Sequence, residues 1–343
     1  MGVRSSQSRG PGINKTDGHL LEYFRNDFGA GGGSPELEVQ YVSPVSYMLI
    51  GGGGAGGLDM SGGGGAGGLM TGTTSTDFAV GYDYALTIGA GGAQADNPGV
   101  YGTSGNDSSC GHQNGEFRAG GGGRGGGQPP SLPASGHDGG CGGGGAGGGT
   151  DPKDGGAANK YPSLPTTPAP LRGQTTTPSS QGNAGGDGYK SGSGASGTYW
   201  GGGGGGTLNG GGDAPSTQGG NGGAGATIPS PLGGEQIGGG GGGCGGVYPP
   251  GTGGSGGAGG GGAGNFENGV AGTQNTGGGG GGNGHIGTAG DTSGAGGSGK
   301  IKLLYPNAYT ISNPGGGITM STATPGSNKL TTFTAGTGNI KFS

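Results

Sequence analysis

The chain has 343 residues, of which 112 are glycine and only 26% are hydrophobic. Leu, Ile, Val and Phe make up about 12% of the residues, under the roughly 20% below which a conventional apolar core is doubtful. A net charge of −5 with 10% charged residues excludes the basic surface of a nucleic-acid-binding protein. No stretch approaches about 18 consecutive apolar residues, so we expect no membrane insertion.

Residues 1–33 differ in composition from everything that follows. This segment combines basic side chains with large apolar ones, and aromatic and arginine side chains are enriched at protein interfaces. The candidate anchors are Arg4, Arg9, Leu20, Leu21, Tyr23, Phe24, Arg25 and Phe28. Their density predicts a segment that docks on another protein, and a local cap on the next domain is the alternative.

Three short segments show the apolar and polar alternation of β-strands. They lie at residues 35–50, where Pro44 is expected to break the strand, and at residues 82–88 and 300–305. Each borders a glycine run: GGGGAGG follows the first, GAGG follows the second, and GAGGSG precedes the third. We therefore expect the strands to gather at one end of the molecule and to set the register of the glycine-rich part between them.

Residues 51–299 are glycine-rich and include runs at 201–206, 238–243 and 277–282. Composition alone favours a flexible linker, because glycine buries no side chain and loses the most backbone freedom on ordering. The alternative is a set of polyglycine II helices, each with three residues per turn and no internal hydrogen bonds. Their outward N–H and C=O groups could pair laterally, because no side chain separates neighbouring backbones.

The energetics of such a bundle depend on how many runs pack together. Each net hydrogen bond contributes roughly 0.5–1.5 kcal/mol, against roughly 1–2 kcal/mol of backbone entropy per ordered residue. An isolated run should not fold, whereas the dozen or so runs present here could if nearly every backbone group is paired. We expect a mostly irregular and all-β fold, with a polyglycine II helix bundle in residues 34–306 framed by short β-strands.

Inserts of varied composition interrupt the glycine runs, and the longest spans residues 151–200. It has a Pro/Thr-rich portion and four aromatic residues, Tyr161, Tyr189, Tyr199 and Trp200. Because loops with exposed aromatic side chains tend to carry binding sites, these residues are the candidate receptor-facing surface. A solvated spacer is the alternative.

Residues 307–343 are rich in threonine and alternate in short segments, separated by turn signals at Pro314-Gly315 and Pro325-Gly326. This pattern predicts a small C-terminal β segment that adds strands to the N-terminal ones.

Residues that could carry chemistry are few and scattered. Cys110, Cys141 and Cys244 cannot all pair within one chain and indicate small buried or unused thiols, with a Cys141–Cys244 bridge as the alternative. His112 lies near Cys110 and His137 near Cys141, but a structural zinc site needs four closely spaced ligands. No nucleophile with a positioned base can be argued. We expect no enzyme, and no catalytic, cofactor or metal site.

Five glycine-containing motifs follow one another in a fixed order of strand, glycine runs, strand, glycine runs and closing strand. They are SYMLIGGGGAGG at 46–57, GGGGAGGL at 62–69, YALTIGAGG at 84–92, NTGGGGGG at 275–282 and GAGGSGKIKLLYP at 294–306. This order resembles the glycine-rich domain of tailed-bacteriophage virion proteins, which is found in tail fibres and other particle-surface proteins, notably of marine and cyanobacterial phages.

The resemblance implies a non-enzymatic structural protein at the virion surface. Residues 1–33 would attach it to other virion proteins, and the inserts would face solvent or a host-cell glycan or protein. A homotrimer follows by analogy with other fibres. An anchor of about 30 residues is short for a long tail fibre, so a short accessory fibre, or a capsid or tail decoration without receptor binding, stays open. An alternative from another class is an ice-binding or extracellular adhesive protein, since polyglycine II bundles are also used there.

Overall fold

The computed structural model describes residues 39–96, 102–127, 135–148, 153–158, 181–192, 197–246, 251–284 and 291–343. Within these ranges the fold is almost all β, without an α-helix, and one short 3-10 helix covers Ser230–Leu232. None of the described segments forms a helix with the length and apolar character that would let it cross a membrane.

In the part of the chain that the structure describes, nine strands form one antiparallel sheet in the order β2-β1-β10-β13-β3-β4-β5, with β11 and β12 also paired to β13. Its strands are β1 (Val45–Ile50), β2 (Leu69–Thr74), β3 (Asp83–Thr87), β4 (Ser108–His112), β5 (Gly115–Ala119), β10 (Lys300–Pro306), β11 (Ile311–Ser312), β12 (Ile318–Ala323) and β13 (Asn328–Phe342). Two small hairpins are formed by β6 (Tyr189–Ser191) with β7 (Thr198–Trp200), and by β8 (Ala226–Thr227) with β9 (Gln236–Ile237).

Three of the strands predicted from alternation are β1, β3 and β10, and all three belong to the large sheet. A strand before Pro44 is also predicted, but within residues 39–44 Tyr41 makes an isolated bridge to Ala79 and no strand forms. Strand β1 pairs with β10, and the long β13 joins β10 to β3. Strand β13 changes partner near Gly336, whose φ of 98° lies in the left-handed region that favours glycine. The prediction that these strands come together is confirmed, since they lie in one sheet, and so is the addition of C-terminal strands.

The main apolar core fills one face of this sheet. Leu49 of β1, Ile301 of β10 and Phe333 of β13 are fully buried there, as the two-residue alternation of a strand requires. The two ends of the sheet approach each other, because Tyr47 of β1 stacks on Phe117 of β5 with ring centroids 4.2 Å apart. The sheet is therefore nearly closed around its core.

The glycine runs are buried but form neither α-helices nor 3-10 helices nor strands. Runs 51–57, 201–206, 238–243 and 277–282 are buried at every residue. Successive segments run away from the sheet and back: segment 51–57 leaves β1, and segment 62–68 returns to β2 beside it. Backbone hydrogen bonds join these two segments at residues 51 and 68, 54 and 65, and 57 and 62.

The direction in which the N–H groups of a glycine segment donate hydrogen bonds repeats every three residues, and we name this pattern the three-residue rotation. In segment 51–57, consecutive N–H groups donate to different neighbours, and every third N–H returns to the same one. The three acceptor segments are 62–68, 103–106 and 294–297. The bonds thus join segments that are far apart in sequence, and the glycine part is held together by lateral backbone pairing.

Close approach of the backbones explains why these positions are glycine. A Cβ built on Gly64 would lie closer than 3.0 Å to the carbonyl oxygen of Gly54, and one built on Gly204 would meet the carbonyl of Gly64 in the same way. Side chains are excluded from most of the lattice. Ala55 and Ala66 are fully buried exceptions at places where a methyl group fits.

Candidate functional surface

The turns between glycine segments collect at two ends. One end is next to the large sheet, and we name it the sheet end; the other is the far end. The described far-end residues are 58–61, 189–192, 197–200, 215–218 and 266–268. Hydrogen bonds link this end across the molecule, since Gly147 donates to the carbonyl of Met60 and Cys244 donates to that of Ser61.

A serine and an asparagine fix the first far-end turn. Ser61 Oγ donates to the carbonyl of Asn283 and accepts from its N–H, both at 2.9 Å, and the side-chain oxygen of Asn283 accepts from the N–H of Asp59. Asp59 and Met60 have φ angles of 61° and 50°, which non-glycine residues rarely adopt. The surrounding contacts therefore hold a strained turn in one conformation.

Three of the four aromatic residues predicted to face a receptor lie at this end. Tyr189 pairs with Trp200 across the β6–β7 hairpin. Tyr199 and Trp200 are only 6% and 3% exposed, and Tyr199 packs with Met60 and Phe266. These two rings hold far-end loops together and do not face solvent, which corrects the expectation of exposed aromatics. Tyr161 lies outside the described residues.

The single tryptophan fits between glycines. A Cβ added to Gly246 or to Gly251 would collide with the Trp200 ring, so the indole lies against both backbones. Its Nε1 is buried and has no hydrogen-bond partner among the described residues. Burial of this ring makes it a reporter for the intact far end.

The predicted insert at residues 151–200 is not one loop. Its described pieces 153–158 and 181–188 are segments of the glycine part, since Gly156 donates to Gly143 and Gly185 donates to Gly156. Gln181 lies at the sheet end, where its side chain accepts from the N–H of Gly120 at 2.8 Å. Among its described residues, the β6–β7 hairpin lies at the far end. The sequence interpretation missed these segments because each contains only one pair of adjacent glycines, and not a long glycine run.

The eight N-terminal anchor candidates lie outside the described residues. They are Arg4, Arg9, Leu20, Leu21, Tyr23, Phe24, Arg25 and Phe28. Their attachment role stays a prediction.

The groups that could carry chemistry do not converge in the described part of the chain. No three His, Cys, Asp or Glu residues there come close enough to hold a metal ion. Cys110, Cys141 and Cys244 are buried free thiols, so the alternative of a Cys141–Cys244 bridge is wrong. Burial raises the pKa of each thiol to about 12, which suppresses the nucleophilic thiolate.

Comparison with known proteins identifies the family. A model of the glycine-rich domain matches residues 34–306, a range that contains β1 to β10 and all the glycine segments. Neither the curated proteins nor the solved structures contain a match. The match covers well over half of the chain, and the protein belongs to the glycine-rich domain family.

Proposed function

We propose that this chain is a non-enzymatic structural protein of a bacteriophage particle, exposed at the virion surface as a fibre. The observation that carries the proposal is the separation of two ends by the glycine part. A sheet with its own core lies at one end, and loops with varied side chains lie at the other. This build suits a projecting protein that is held at one end and meets its surroundings at the other. The particle itself is inferred from the motif order that resembles phage virion proteins.

We further propose that the glycine part is a polyglycine II helix bundle. The three-residue rotation of its N–H donors equals the three residues per turn of that helix. The buried runs have carbonyl oxygens where Cβ atoms would be, as close lateral packing requires. Measurement of glycine backbone angles by NMR tests this proposal: φ near −75° and ψ near 145° are expected along 51–57. Extended-strand angles would contradict it.

The proposed partners follow from the two ends. Residues 1–33 attach the chain to other virion proteins, the far end contacts a host-cell glycan or protein, and the chain assembles as a homotrimer. The alternative form of this proposal is a capsid or tail decoration that binds no receptor. Deletion of residues 1–33 is expected to abolish incorporation into particles while leaving the remaining fold intact.

Cell binding separates the fibre from the decoration. Fluorescently labelled protein is incubated with candidate host cells, and binding is compared for the wild type, a far-end variant and a control variant. The far-end variant replaces the four exposed residues 215–218 with Gly-Ser-Gly-Ser. The control is Leu208→Ser, which changes a sheet-end side chain that is 57% exposed. A receptor-binding fibre loses about tenfold or more in affinity with the far-end variant alone. Equal binding of all three forms, or none to any host, would count against a receptor at that loop.

A further inference from the structure

Some N–H groups of the glycine part donate to none of the neighbouring backbones in the described ranges. Side-chain oxygens accept these hydrogen bonds in place of a neighbour's carbonyl. At one rim, Asp213 accepts from the N–H of Asp187 at 2.9 Å, and Asp187 in turn accepts from the N–H of Gly155 at 2.8 Å. The side chain of one segment thus covers the backbone of the next.

The same contact recurs at other segments, and each time a backbone N–H donates to a side-chain oxygen. The further pairs are Asp107 with Gly121, Asp138 with Ala157, Ser104 with Arg124, Asn221 with Ser255, Asn268 with Thr292 and Gln274 with Ser298. Their donor–acceptor distances run from 2.7 Å at Asp107 to 3.2 Å at Gln274. We name the eight acceptor residues the rim caps.

The capped N–H groups keep the three-residue rotation of the lattice. Gly121 and Arg124, whose N–H groups are capped, are three residues apart. The neighbouring N–H groups of residues 122, 123 and 125 donate to backbone carbonyls of other glycine segments. Thr292 and Ser298 are six apart and follow the same rule. Each cap therefore stands in the direction where a neighbouring segment would otherwise bind.

We propose that the rim caps end the lattice laterally and keep its rim from pairing with glycine segments of a second copy of this chain. The inference rests on the polyglycine II packing proposed above. A rim of unpaired backbone donors is a template for another chain, as an exposed edge strand is. A cap accepts the hydrogen bond of the outward N–H, and its side chain fills the place of a neighbouring backbone.

Self-association of cap variants tests the proposal. The cap variant carries Asp138→Ala, Asp187→Ala and Asp213→Ala in the full chain. The charge-matched control removes three exposed acidic side chains that cap none of the described N–H groups, with Asp154→Ala, Glu116→Ala and Glu267→Ala. Sedimentation equilibrium is run over a wide concentration range. We expect the average mass of the cap variant to rise at least about twofold with concentration, while wild type and control keep their mass.

Substitution by asparagine separates capping from charge. The triple Asp→Asn variant keeps an acceptor oxygen at each of the three positions, so it is expected to remain at the wild-type mass. If it associates as strongly as the alanine variant, charge and not capping protects the rim, and the proposal is overturned. A cap variant that stays folded at the wild-type mass overturns it as well.

A milder variant covers the case in which the triple variant does not fold. Asp187→Ala alone uncaps the N–H of Gly155, and amide exchange there is expected to accelerate about tenfold or more while exchange at inner glycines such as Gly64 is unchanged. Unchanged exchange at Gly155 refutes the cap. Faster exchange at Gly64 as well would show a loosened lattice and refute the local role. Neither readout depends on cell binding, so the result is separate from the proposed surface function.

Discussion

Replacement of one central glycine by alanine tests whether backbone packing stabilises this fold. Gly64 donates to Gly280 and accepts from Gly241, both at 2.8 Å. An alanine Cβ there would overlap the carbonyl of Gly54, so segments 51–57 and 62–68 must separate. Separation weakens the hydrogen bonds that join the two segments, each worth about 0.5–1.5 kcal/mol, and overpacking adds about 1–3 kcal/mol. We expect Gly64→Ala to lower the free energy of unfolding by about 3 kcal/mol or more.

The measurement is urea unfolding followed by the fluorescence of Trp200, the single and buried tryptophan. Gly315→Ala is the matched control, because nothing lies within 4 Å of the Cβ position of this exposed glycine. The control should change stability by no more than about 0.5–1 kcal/mol, and in the stabilising direction. If Gly64→Ala and Gly315→Ala unfold at the same urea concentration, close backbone packing is not what holds the glycine part together.

Three further predictions concern titratable groups. Burial raises the pKa of Asp77, but hydrogen bonds from His112 and two polar neighbours outweigh it and lower the pKa from 3.8 to about 2. Ionised Asp77 therefore contributes on the order of 2 kcal/mol to the free energy of unfolding above pH 4, and this contribution is lost as the pH falls towards 2. Between pH 4 and pH 2, the urea midpoint of Asp77→Asn should fall less than that of the wild type. Glu235 Oε1 contacts the buried ammonium groups of Lys300 and Lys302. Glu235→Gln should therefore lower the free energy of unfolding, measured by thermal unfolding, by about 1–3 kcal/mol. This figure is reduced for solvent screening, because the carboxylate is more than a third exposed. Replacing both lysines with methionine in that variant should recover the loss. The three buried thiols should resist a thiol reagent at pH 8 in the native protein and react on unfolding, whereas fast native reaction would contradict their burial.

The sequence predicted the strands that are rich in large apolar side chains, and it missed those that are not. Strands β1 and β10 read VSYMLI and KIKLLYP, which is enough signal without a partner. Strand β4 reads SSCGH and extends mainly because β3 and β5 pair with it. Such strands depend on tertiary context, which a local pattern does not contain.

The far end and the rim were harder to predict than the sheet. Tyr199 and Trp200 were expected to be exposed because they lie in an irregular insert. Tyr199 is instead buried against Met60 and Phe266, and Trp200 lies against Gly246 and Gly251, all far away in sequence. The rim caps have the same residue types as ordinary solvated loops, so composition does not distinguish an Asp that caps a neighbour from one that does not. Only the pairing of distant segments separates them.

The sheet and the glycine part depend on each other for register. The last pair of the β1–β2 ladder, Ile50 with Leu69, is followed at once by the Gly51–Gly68 hydrogen bond, so the ladder continues into the lattice without a break. A glycine segment has almost no side chains to distinguish one register from the next, and its hydrogen bonds barely offset its backbone entropy. The apolar strands supply the missing information, because a one-residue slip would exchange the side chains of two differently packed faces, with Leu49 in the main core and Met48 in a second cluster. A small core can therefore position a much larger glycine lattice, provided that its strands lie at the ends of the segments.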